Sequence, residues 1–141
     1  MNMNQSSRFA HLALAAGFAI SCMTATATDI TAKLTGDQEI PAVTTAAAGT
    51  AIIIVKNDKS VSGSIKTVGI EGTMAHIHLA AAGKNGPPII PLTKTADNTW
   101  SVPDGAKLTD EQYESFKHGD LYVNVHSAEH KGGEIRAQLK P

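Results

Sequence analysis

The sequence predicts an antiparallel β-sandwich carrying one short helix, and three observations lead there. Apolar and polar residues alternate along most of the chain after residue 27, the period of a half-buried strand. About seven runs of strand length follow one another, separated by clusters of Gly, Pro, Asn and Asp. One stretch, "LTDEQYESFKHGD", carries helix-boundary chemistry instead.

The first 27 residues stand apart. Arg8 precedes an apolar run at 9–20, and "ATA" (Ala25-Thr26-Ala27) is the small-x-small pattern of a signal-peptidase site. The run is shorter than the roughly 20 residues of a membrane span. Residues 1–27 are therefore expected to be a secretory signal, with a periplasmic or secreted product and no membrane span. Cys22, just behind the apolar run, offers a second route to export, as a lipidated and anchored N-terminus. Residues 28–141 then make one domain of 114 residues, enough for a single core. It has no cysteine and hence no internal disulfide. Its 11 Lys+Arg against 13 Asp+Glu leave a balance of −2, which argues against nucleic acid or anionic membrane as partner.

The elements follow in order. "GTAIIIVK" (49–56) is a β-branched run that suits a buried strand. "NDKS" (57–60) turns the chain into "VSGSIKTV" (61–68), where Val61, Ile65 and Thr67 share a parity. "TMAHIHLA" (73–80) is the next strand. "GKNGPP" (83–88) has to be a loop, because Pro87 and Pro88 donate no ladder bonds. Short strands are expected around "IIPL" (89–92) and "NTWSV" (98–102). In the exceptional segment, Thr109 and Gln112 form a capping box and Asp110 and Glu111 favour the helix start. Gly119 can end it. "LYVNVH" (121–126) and "GEIRAQL" (133–139) close the chain as strands.

Parity then assigns faces. Ala75, Ile77 and Leu79 oppose Met74, His76 and His78; Leu121, Val123 and Val125 oppose Tyr122, Asn124 and His126; Ile135, Ala137 and Leu139 oppose Glu134, Arg136 and Gln138. If the three strands are neighbours, one polar outer face collects His76, His78, His126, Glu134 and Arg136. A single histidine on such a face is ordinarily solvated or hydrogen-bonded. A His-x-His pair is different, since two imidazoles about 7 Å apart at Cα project in parallel and can converge on one ion. His126 from a second strand completes a three-imidazole site. His130, in the loop "SAEHKGG", is the candidate fourth ligand, and Met74 can supply a soft thioether or simply pack at the rim. His118 has the helix C-terminus for company, and His11 belongs to the signal.

"LTGDQEIPAVTTAAAGTA", "MAHIHLAAAGKNGPPIIPL" and "GDLYVNVHSAEHKGGEIRAQL" resemble the CHRD domain, named after chordin, from about Lys33 to Leu139. Two departures from the family pattern stand at Glu39-Ile40-Pro41-Ala42, where two prolines usually follow the acidic residue, and at Arg136-Ala137, where a glycine usually follows the arginine. The resemblance implies an exported, stand-alone β domain of bacterial type. The histidine layout is also similar to that of copper/zinc superoxide dismutase, an analogy of ligands on a Greek-key, immunoglobulin-like sandwich; that family's cysteine pair and long zinc loop are missing here.

These observations lead to a periplasmic copper site on His76, His78 and His126, with zinc as the alternative metal. Glu134 or Asn124 is expected to accept the remaining ring N–H groups. A catalytic version dismutates superoxide, with Arg136 attracting the anion unless it pairs with Glu134 or Glu129; a non-catalytic version stores copper or passes it to a delivery partner. The competing class is a metal-free interaction module docking through "AAAGKNGPP", with Trp100 and Tyr122 as anchors. No Gly-x-Ser-x-Gly, glycine-rich phosphate loop or His-Glu-x-x-His is present.

Overall fold

A computed structural model describes residues 26–141; residues 1–25 of the expected signal, with Arg8, His11 and Cys22, lie outside the described residues. The strands are β1 (Ala27–Thr35), β2 (Ala48–Lys56), β3 (Val61–Val68), β4 (Gly72–Leu79), β5 (Pro88–Pro91), β6 (Thr93–Ala96), β7 (Thr99–Ser101), β8 (Leu121–Ser127) and β9 (Ile135–Leu139). One helix, α1 (Asp110–Lys117), precedes β8.

Every paired neighbour is antiparallel, in the order β5-β4-β8-β9-β1-β2-β3-β7-β6. β5 and β6 stand at opposite ends of that order, yet only Leu92 separates them in the chain. The sheet must therefore curl until its edges approach. The Leu92 amide donates to Ala75 O at 2.9 Å and ties that corner to β4. The fold is all-β and nearly closed, with a single short helix.

The expected apolar parity lines its interior. Val61, Ile65 and Thr67 of β3, Ala75 and Ile77 of β4, and Val123 and Val125 of β8 are all buried. Helix α1 starts on its capping box: Gln112 N donates to Thr109 Oγ1 at 3.2 Å, and Thr109 N to Gln112 Oε1 at 3.0 Å. It ends at Gly119, whose φ of 79° suits glycine. Phe116 enters the core, while Asp110 pairs with Lys59 of the β2–β3 turn.

Two strands have no counterpart in the periodicity. β6 reads Thr-Lys-Thr-Ala and is exposed throughout, so it pairs with β7 through backbone bonds and polar side-chain contacts, Thr95 with Ser101 and Lys94 over Trp100, rather than apolar packing. β1 spreads Ile30, Ala32 and Leu34 among Thr, Asp and Lys, a thin apolar signal next to the expected signal sequence. It is nonetheless the bridge between β9 and β2, with Leu34 buried opposite Gly49.

Candidate metal centre

β4, β8 and β9 are neighbours, and their register brings the unusual side chains into rows. Met74 faces His126; His76 faces Asn124, which faces Arg136; His78 faces Tyr122. All lie on the face away from the core, as parity requires.

That face is not open to water. Three segments cross it: residues 36–47, with Glu39 buried and Thr45 bonded to Glu134; loop 80–87; and loop 128–134. His78 is 7% exposed, His126 6% and Arg136 2%, while His76 is only partly buried. The outer face on which parity places the histidines is thus largely covered, with His76 alone of the three left partly exposed. Strand parity separates core from non-core but says nothing about loops that fold back over the outer face.

His76, His78 and His126 form a group whose ligand nitrogens lie within 4.8 Å of one another, a set that can hold a metal ion. The surrounding carbonyls assign the tautomers. A carbonyl only accepts, so His78 Nδ1 donates to Gly86 O at 2.9 Å and His126 Nδ1 donates to Lys131 O at 2.8 Å. In the neutral rings both Nε2 atoms therefore carry lone pairs. His126 Nε2 faces His76 Nδ1 at 3.0 Å and accepts its proton. His78 Nε2 is buried with no partner at all.

Asn124 stands beside His78, and its Oδ1 is likewise buried and unpartnered. Two acceptors cannot satisfy each other, and an unmet buried acceptor costs about 1–3 kcal/mol. A cation would satisfy both. With metal–nitrogen bonds of about 2.0 Å, the rings need draw together by only about 1 Å.

Burial, followed by the neighbouring His126 and His78, holds His76 below the ordinary imidazole pKa. His78 is lowered mainly by burial, with the Gly86 carbonyl pulling the other way. Both effects keep the rings in the neutral form that a metal needs.

The other expected residues are placed as follows. His130 lies outside the group of three; its backbone carbonyl accepts from Gly133 at 3.0 Å. Met74 is 48% exposed at the rim, across the strand from His126. His118 caps α1, its Nδ1 donating to Glu114 O at 2.8 Å. Glu134 accepts from Thr45 Oγ1 at 2.7 Å, the Nδ1 atoms of His78 and His126 donate to the Gly86 and Lys131 carbonyls, and Asn124 lies against His78 as a side-chain neighbour. Arg136 donates to Lys84 O at 2.6 Å and Asn85 Oδ1 at 3.0 Å, and pairs with neither Glu134 nor Glu129. Its nearest countercharge is Glu39, whose pKa burial raises against the pull of Arg136 and of Asn124.

Sequence reasoning missed the contribution of Gly86. A Cβ there would sit 1.8 Å from Leu79 O, so the loop can pass this close to β4 only without a side chain. Gly86→Ala should lower stability by about 1–3 kcal/mol through overpacking. It should also weaken metal binding by about 10–100-fold, as loss of an outer partner does. Urea unfolding and calorimetric titration check the two effects separately.

The fold and the cluster together define a curled antiparallel β domain with three histidines gathered under its loops. The family model for the CHRD domain matches residues 30–139, and the chain belongs to the CHRD domain family, an extracellular type of domain. No curated protein and no solved structure matches the chain. Among the described residues no helix is long and apolar enough to cross a membrane.

Proposed function

We infer that this domain is a periplasmic copper-binding protein with His76, His78 and His126 as its ligands. The observation that carries the inference is the buried, unpartnered Nε2 of His78, held by the Gly86 carbonyl with its lone pair free. Imidazoles suit both copper and zinc, and divalent copper stands at the top of the affinity order. Glu134, the carboxylate that hydrolytic zinc chemistry would want as a base, is bonded to Thr45 instead. Trp100 and Tyr122, the anchors an interaction module would present, are both buried.

Bound copper supplies one-electron redox chemistry. The chain's part is to hold three neutral imidazoles and to leave the half-buried His76 side accessible. That opening favours dismutation of superoxide as a catalytic extension of binding. Arg136, buried under loop 80–87, would assist through its field rather than by contact. Storage or delivery of copper needs no such assistance.

Calorimetric titration of the purified protein at neutral pH should give one Cu(II) per chain and a tighter fit than zinc. Heat from neither metal would leave the interaction module. Superoxide decay with loaded protein, against free copper as control, separates catalysis from storage.

Acid should act in a defined direction. With the folded pKa values of His76 and His78 lowered from 6.5, the unfolded chain takes up protons first. The stabilising contribution is therefore complete above about pH 6.5 and is lost as pH falls through the lower folded values. Urea midpoints measured downward from neutral pH should fall only below that point, and copper affinity with them.

A further inference from the structure

The part of the site that copper ligation leaves unexplained is the group behind His78. The His78 and Tyr122 rings stack with centroids 4.6 Å apart and an interplanar angle of 8°. Arg136 Cζ lies 3.4 Å from the Tyr122 ring centroid. Because β8 runs between β4 and β9, His78 and Arg136 approach Tyr122 from opposite sides. The result is three layers: guanidinium, phenol, imidazole.

The same residues hold the loop that orients His78. Arg136 donates to Lys84 O and Asn85 Oδ1, and Asn85 Nδ2 donates to Ile40 O at 2.8 Å. The Tyr122 hydroxyl accepts from Gly86 N at 3.3 Å. Gly86 O in turn takes the Nδ1 proton of His78. A buried cation with its donors on one loop and its flat face on one ring has little freedom to move.

We propose that Arg136 and Tyr122 are positioning residues for the metal site: their stack with His78, and the loop they clamp, fix that imidazole with Nε2 aimed at the ion and set a permanent positive charge behind it. This rests on the copper reading above. A fixed positive charge disfavours the higher charge state of the ion, so the site is biased toward Cu(I) over Cu(II). Arg136 is among the charges that act on His78. Planarity fits the geometry better than a lysine ammonium would.

Two measurements test the proposal. In metal-free protein, ring nitrogen shifts should report His78 with its proton on Nδ1. Tyr122→Leu and Arg136→Gln should shift the population toward the Nε2–H tautomer. In copper-loaded protein, Arg136→Gln should reduce the preference for Cu(I) about tenfold, a potential about 59 mV lower for a one-electron couple. Arg136→Lys, which keeps the charge but not the stack, should disturb the tautomer and leave the potential near that of the unaltered protein. If Arg136→Gln does not fold, Arg136→Lys and Tyr122→Leu still decide the positioning part. A tautomer and a potential indifferent to the substitutions would overturn the proposal. Failure of the unaltered protein to bind copper, with the Nδ1–H tautomer intact and sensitive to Arg136, would instead remove the copper reading and the charge bias that depends on it.

Discussion

His78→Ala should lower copper affinity by roughly a hundredfold or more, whereas His118→Ala should leave it unchanged. Loss of an outer hydrogen-bond partner alone costs 10–100-fold in such sites, and removing a ligand should cost at least as much. His78 contributes the one ring nitrogen in the cluster that is buried without a partner. His118 sits on α1, bonded to Glu114 O. The metal-free fold should tolerate the His78 substitution, because relief of an unmet acceptor offsets the packing lost against Tyr122. Equal losses of affinity in the two variants would mean that the ligand set is wrong. Calorimetric titration reads the affinity, and urea unfolding confirms that both variants are folded.

Leu34→Ala should destabilise the domain by about 2–5 kcal/mol, the range for truncating a buried leucine. Leu34 is fully buried in β1, the strand that joins β9 to β2 and so links the two halves of the sheet. Thr31→Ala, on the exposed face of the same strand, should change stability by less than about 0.5 kcal/mol. Below its melting range the Leu34 variant should still bind one copper, since the core and the histidines occupy opposite faces of the sheet. A small loss in urea unfolding would mean that β1 is peripheral rather than a bridge.

Much of this was legible in the chain. The alternation in "TMAHIHLA", "LYVNVH" and "GEIRAQL" divides core from non-core residues, and Thr109 with Gln112 announces α1. The three histidines share a face for the same local reason. What alternation could not find was structure without apolar content, such as β6, or with a diluted pattern, such as β1. It also could not show what covers the polar face. Glu39, Thr45, Gly86 and Lys131 reach that face from loops, where no periodicity exists to be read.

The sequence by itself determined the class of fold, the CHRD membership and the side of each strand on which a histidine projects. Side-chain alternation follows from the covalent geometry of an extended chain, which any short stretch already contains. Only the tertiary structure decided that β4 and β8 are adjacent, in the register that sets His126 opposite Met74 and so diagonally beside His76. It also decided that Gly86 and Lys131 carbonyls choose which ring nitrogens are free. Those outcomes depend on contacts between residues as many as 50 positions apart. Long-range packing brings them together, and no local pattern encodes it.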